Sequence, residues 1–127
     1  MRIIVSLAIA LSMFVPAHTQ MRRGGGPEYN VTRETTLTGT MVKTYLGPFE
    51  ELLILEITTG GEPLHLLLAP PAVVKKMPFD FKEGARVDVI GNPGFKVNGN
   101  VGMLVRELKS GKQMLTLRDK RGKPVWN

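Results

Sequence analysis

The feature that most constrains this chain is its hydrophobic rhythm: apolar residues alternate with polar ones in short blocks, and each block ends at a Gly, Pro or Asn-Gly turn. Alternation with β-branched residues is the pattern of a half-buried strand. It begins in Thr36-Leu37-Thr38-Gly39-Thr40-Met41-Val42-Lys43-Thr44-Tyr45, where Gly39 suits a bent first strand. Leu46-Gly47-Pro48-Phe49 turns the chain. Glu51–Thr58 and Leu64–Ala69 follow as the second and third strands across a Thr59-Gly60-Gly61-Glu62 hairpin. Both are apolar on two faces, as expected of strands covered on both sides.

One interruption breaks this rhythm. Pro70-Pro71 opens a short helix, Ala72–Met77, and Pro78 stops it. Val73, Val74 and Met77 are placed to close one end of a barrel. Ala85–Gly91 is the fourth strand, broken by Asn92-Pro93-Gly94. The hairpin signal Asn98-Gly99 then leads into Val101–Leu108, the fifth. Met114–Arg118 and the closing Pro124-Val125-Trp126 form an appendix, with Trp126 as a hydrophobic clamp. Three strands, a helix and two strands predict an all-β fold: a five-stranded OB-type barrel with a short helix between strands 3 and 4 and a C-terminal β appendix.

The chain has 127 residues, enough for one such domain. Ahead of it, Met1-Arg2, an apolar run Ile3–Val15 and Val15-Pro16-Ala17 form the three parts of a secretory signal, with cleavage expected before His18. The run falls short of the roughly 20 residues that span a bilayer. The expected organisation is therefore a signal peptide at 1–17, a disordered leader at 18–33 and the barrel at 34–127. The expected location is periplasmic or secreted, with no membrane span once the signal is removed. Asn30-Val31-Thr32 matches a glycosylation acceptor, a pattern that arises easily by chance.

The stretch from Glu34 to Trp126 resembles a family of small secreted bacterial OB-fold proteins classed as nucleic-acid-binding by fold. The residues that carry the likeness are Thr38-Gly39-Thr40, the Ala69-Pro70-Pro71-Ala72 helix entry and the lead into the fourth strand, Phe81–Gly91. Its most specific piece is Leu115-Thr116-Leu117-Arg118-Asp119 followed by Gly122-Lys123-Pro124-Val125-Trp126. More loosely, the chain is similar to the periplasmic bacterial OB-fold (BOF) stress-tolerance proteins. The resemblance implies a binding module with no catalytic residues to carry over.

The residues themselves point the same way. With no Cys, disulfide, thiolate and Cys-ligated zinc chemistry are excluded. His18 and His65 are the only histidines, and no nucleophile–His–carboxylate set or phosphate loop is present. The expectation is a protein that is not an enzyme and takes no cofactor or metal.

Two binding readings remain. Formal charge is +6, and loss of residues 1–17 removes only Arg2, leaving +5, with the excess concentrated from Arg106 onward. A basic groove with Lys43, Lys96, Arg106 and Arg118, and stacking by Tyr45, Phe49 and Phe95, would suit single-stranded nucleic acid or another polyanion. The preferred reading is contact with a protein or another envelope component. If Leu53, Leu55 and Ile57 face the core, Leu52, Ile54 and Glu56 face outward, joined by His65, Leu67 and Ala69 from the third strand. Whether the helix or appendix covers that patch is open at this point. The candidate contact residues are Lys43, Tyr45, Phe49, Leu52, Ile54, His65, Leu67 and Arg106.

Overall fold

A computed structural model describes residues 21–22, 26–47 and 52–126. The proposed signal peptide lies outside these residues, as does Phe49. Six strands carry the domain: β1 (Thr35–Leu46), β2 (Leu53–Thr59), β3 (Glu62–Leu67), β4 (Arg86–Val97), β5 (Asn100–Ser110) and β6 (Gln113–Thr116). Helix α1 (Pro71–Lys75) sits between β3 and β4. A short antiparallel pair, Met21–Arg22 with Gly26–Pro27, precedes them.

Antiparallel pairs run β3-β2-β1-β4-β5, and a parallel β3–β5 pair, His65–Leu67 against Gly102–Leu104, closes the ring. The result is a closed five-stranded mixed barrel with β6 bonded outside it on β5. Met41, Leu55, Ile57, Leu66, Val87, Val89, Met103, Val105 and Leu108 fill the interior. Closure gives each of these five strands two neighbours in the ring and turns one face of each to the interior. Val74 of α1 seals one end, with Val73 and Met77 packed beside it. Trp126 lies against the same core from the C-terminal side.

Element order matches the sequence pattern, and three departures concern register. The pairing shifts between Met41 and Lys43, which makes Val42 an extra residue in β1. A bulge reverses the strand's alternation, so Met41 points inward while Lys43 and Tyr45 lie on the outer face. On β5 the extra residue is Arg106, because Ile90 pairs with Glu107 and Gly91 with Val105. Asn92-Pro93-Gly94 does not end β4, as the sequence suggested. The strand absorbs Gly94 as a further irregularity and continues to Val97. Proline's missing N–H is tolerated at such a point.

Residues 29–33, placed by the sequence in a disordered leader, are held on the barrel. Tyr29 packs against apolar side chains on the barrel's outer face. The Asn30 N–H donates to Asn92 Oδ1 at 2.9 Å, and a single turn of 3-10 helix, Val31–Arg33, joins this segment to β1. A strap held by one aromatic ring and a few polar contacts has no periodicity to reveal it.

Gly91 sits at a tight crossing of β4 and β5, next to the bulge at Arg106. A Cβ there would lie 2.5 Å from the Leu104 carbonyl oxygen and 3.2 Å from Val105 Cα. Backbone atoms within a closed ring have little room to retreat. Gly91→Ala is expected to cost about 2 kcal/mol, read as a lower urea midpoint with an unchanged m-value.

Candidate binding face

The outer face of β2, β3 and β5 carries Leu52, Ile54, Leu67 and Leu104, opposite in alternation to the interior residues. They are nonetheless buried: Leu52 is 6 % exposed, Leu67 1 %, and Ile54 and Leu104 0 %. With Val97 they form a second apolar cluster, roofed by Tyr29, Tyr45 and Phe95. The end of the β4–β5 hairpin, with Asn98 at φ 54° in its turn, brings Phe95 and Val97 over this face. The question left open by the sequence, whether the outward patch at Leu52, Ile54 and Leu67 is covered, has its answer here: these side chains are buried, beneath the β4–β5 hairpin and Tyr29 rather than the helix or the appendix. Ala69 is also buried, but in the interior cluster.

A polar row borders the cluster. Lys43 on β1 pairs across to Glu56 on β2, which pairs to His65 on β3. His65 is 7 % exposed. The Tyr45 hydroxyl shares a 2.6 Å hydrogen bond with His65 Nδ1, and the two rings meet edge to face. Burial raises the Tyr45 phenol above its ordinary pKa, and Glu56 adds to the effect. Lys43 stays exposed, its Nζ 5.9 Å from the Tyr45 ring centre. Lys96 is also exposed. Of the candidate contact residues, Lys43 is exposed and Tyr45 half-buried, whereas His65, expected on the outward face, is buried beneath Tyr45.

Arg106 is not a free cation. Its Nε and Nη2 donate to the Glu34 carboxylate, which also accepts from the Tyr29 hydroxyl at 2.6 Å. Burial on its own would raise the Glu34 pKa. The hydrogen bonds from Arg106 and Tyr29 outweigh it and hold the carboxyl below its ordinary value. Tyr29 moves the other way: burial, then the Glu34 bond, raises its phenol well above the normal range.

The Tyr29 ring rests against a second arginine. Arg118 is 4 % exposed, with its guanidinium carbon 5.3 Å from the Tyr29 ring centre and 5.7 Å from that of Trp126. Nη1 donates to the Gly122 carbonyl at 2.8 Å, and Nε has no partner. Gly122 leaves space for the strap, since a Cβ there would stand 2.7 Å from Tyr29 Cδ1. Of the four cations expected to line a basic groove, Lys43 and Lys96 are exposed while Arg106 and Arg118 are already engaged. One arginine is taken by Glu34, and the other is sealed between rings.

Sequence reasoning missed Tyr29, Glu34 and Asn92. The one signal available was an aromatic residue within an otherwise polar leader. Among the described residues, no three His, Cys, Asp or Glu side chains converge to hold a metal ion. Also among them, no helix is long and apolar enough to cross a membrane. The arrangement presents aromatic edges at Tyr45 and Phe95 and buried positive charge at Arg118. No protein-family model and no curated protein matches this sequence.

Proposed function

We propose that this chain is an exported, non-enzymatic binding module of the OB type, and that its partner is a protein of the envelope or the extracellular space. The ring order, its parallel closing pair and the helix between strands 3 and 4 support the OB reading. One observation carries the choice of partner: the outer barrel face already seats polypeptide, the Tyr29–Glu34 strap, through an aromatic ring and a carboxylate. Protein surfaces present those groups together. A phosphodiester chain needs several free cations, and two of the four available on this face, Arg106 and Arg118, are engaged.

The polyanion reading keeps Lys43 and Lys96, both exposed. The test sets the two side by side. A photo-crosslinking residue is placed at Lys43 and, as a control on the β6 side of the barrel, at Lys109. The same chain is titrated with single-stranded oligothymidine at low and physiological salt. The expected result is a discrete protein adduct from position 43 in the producing cell, none from 109, and no oligonucleotide binding at physiological salt. Oligonucleotide affinity that falls steeply with salt and is lost in Lys43→Glu and Lys96→Glu would replace the protein reading.

A further inference from the structure

Residues 28–34 read Glu-Tyr-Asn-Val-Thr-Arg-Glu. The strap that starts at Tyr29 is held at its two ends and is open between them. Tyr29 fills the gap between the outer apolar cluster, Arg118 and Gly122, while Glu34 takes the Arg106 fork. The side chains of Val31, Thr32 and Arg33 are exposed. Its main chain joins no strand ladder; Asn92 alone grips it at mid-length, accepting from the Asn30 N–H and donating to the Arg33 carbonyl. Two side-chain anchors on an otherwise loose segment is how a domain holds a peptide, and it differs from how a barrel holds its own strands.

The two guanidiniums beneath the strap are met differently, for the Glu34 carboxylate goes to Arg106. Among the described residues no carboxylate pairs with Arg118, and its buried Nε meets no acceptor. A buried N–H with no acceptor is costly, and the seat would gain from a second negative group beside Arg118.

We propose that the Tyr29–Glu34 strap is an internal stand-in for an external ligand. The seat beneath it takes an acidic peptide of a partner protein that makes a single turn, as Val31–Arg33 does, between an aromatic residue and a carboxylate five positions later, with a further carboxylate to meet Arg118. This rests on the protein-binding reading above and names the chemistry of the partner. The tethered strap competes at a high effective concentration, so an external peptide wins only when the strap is loosened or when its extra charge tips the balance.

The experiment uses the full mature chain and a fluorescent nonapeptide copying residues 28–36. A second version of the peptide carries one added aspartate. Binding is read by anisotropy to the intact chain, to Tyr29→Ala and to Glu34→Gln. Expected is binding about tenfold tighter to Tyr29→Ala than to the intact chain, tighter again for the more acidic peptide. That binding is expected to fall about tenfold when the peptide's own tyrosine or final glutamate is replaced by Ala or Gln.

If Tyr29→Ala fails to fold by circular dichroism, Glu34→Gln decides, because it keeps the shape and removes only the anchor's charge. A folded strap variant that binds neither peptide more tightly than the intact chain overturns the inference. Adducts from position 43 that form equally in the intact chain and in Tyr29→Ala, without peptide binding, would leave the protein reading standing and remove this one. Absence of both would remove the two together.

Discussion

Leu67→Asp is expected to unfold the domain rather than to disarm a surface. Leu67 is 1 % exposed, within a cluster of Leu52, Ile54, Val97 and Leu104 under three aromatic rings. Removing a buried leucine side chain costs about 2–5 kcal/mol, and a carboxylate left in aliphatic surroundings adds several more. The sum reaches much of the roughly 5–15 kcal/mol that holds a domain together. A variant that still folds should melt at least ~20 °C lower. Lys43→Glu, on the exposed rim of the same face, should stay within about 0.5 kcal/mol of the parent. Thermal melts followed by circular dichroism, run in parallel, make the comparison. A Leu67→Asp chain that melts like the parent would mean that the roof over the cluster opens in solution.

That contrast marks the boundary of what the sequence could say. The period-two pattern puts Leu52, Ile54 and Leu67 on the opposite face from Leu55 and Ile57, and this is how they lie. It cannot say whether an outward face is a wet one. In a sheet closed on itself, the hairpin of two strands can fold back over a third, as Phe95 and Val97 do here. The Asn92-Pro93-Gly94 run reads as a breaker because local propensity favours a turn there. The ring overrides it by taking Gly94 as an irregularity, and the strand continues into the hairpin that forms the roof.

Bulges account for much of the rest. An extra residue is invisible to pattern counting, yet Val42 sets which face Lys43 and Tyr45 occupy. Arg106 is the extra residue of β5: its carbonyl accepts from Leu117 and Arg118, and its side chain turns to Glu34, 72 positions earlier. Sequence alone showed a basic residue near a basic terminus and made it a candidate contact for a partner. The pairing needs the ring to be closed before the two groups meet. The helical plug was legible for the opposite reason, since Pro70-Pro71 and Pro78 act locally and leave only a short stretch for a helix.

Glu34 gives the sharpest pH test of this arrangement. Its carboxylate and the Arg106 guanidinium are largely shielded, with side chains 24 % and 16 % exposed. Glu34→Gln leaves Arg106 facing a neutral amide, at an expected cost of about 3 kcal/mol near neutral pH. Because the folded carboxyl titrates below its ordinary value of 4.5, the unfolded chain binds the proton more readily. The pair's stabilisation is therefore complete above the unfolded value and is lost as pH falls through the depressed folded one. The gap in melting temperature between parent and Glu34→Gln should be widest near neutrality and begin to close below about pH 4.5. Once Glu34 is protonated in the parent, both chains present Arg106 with a neutral partner, and their curves should converge. A gap that stays constant down to pH 3 would mean that the variant loses packing alone. The carboxylate would then not be what ties the strap to the barrel.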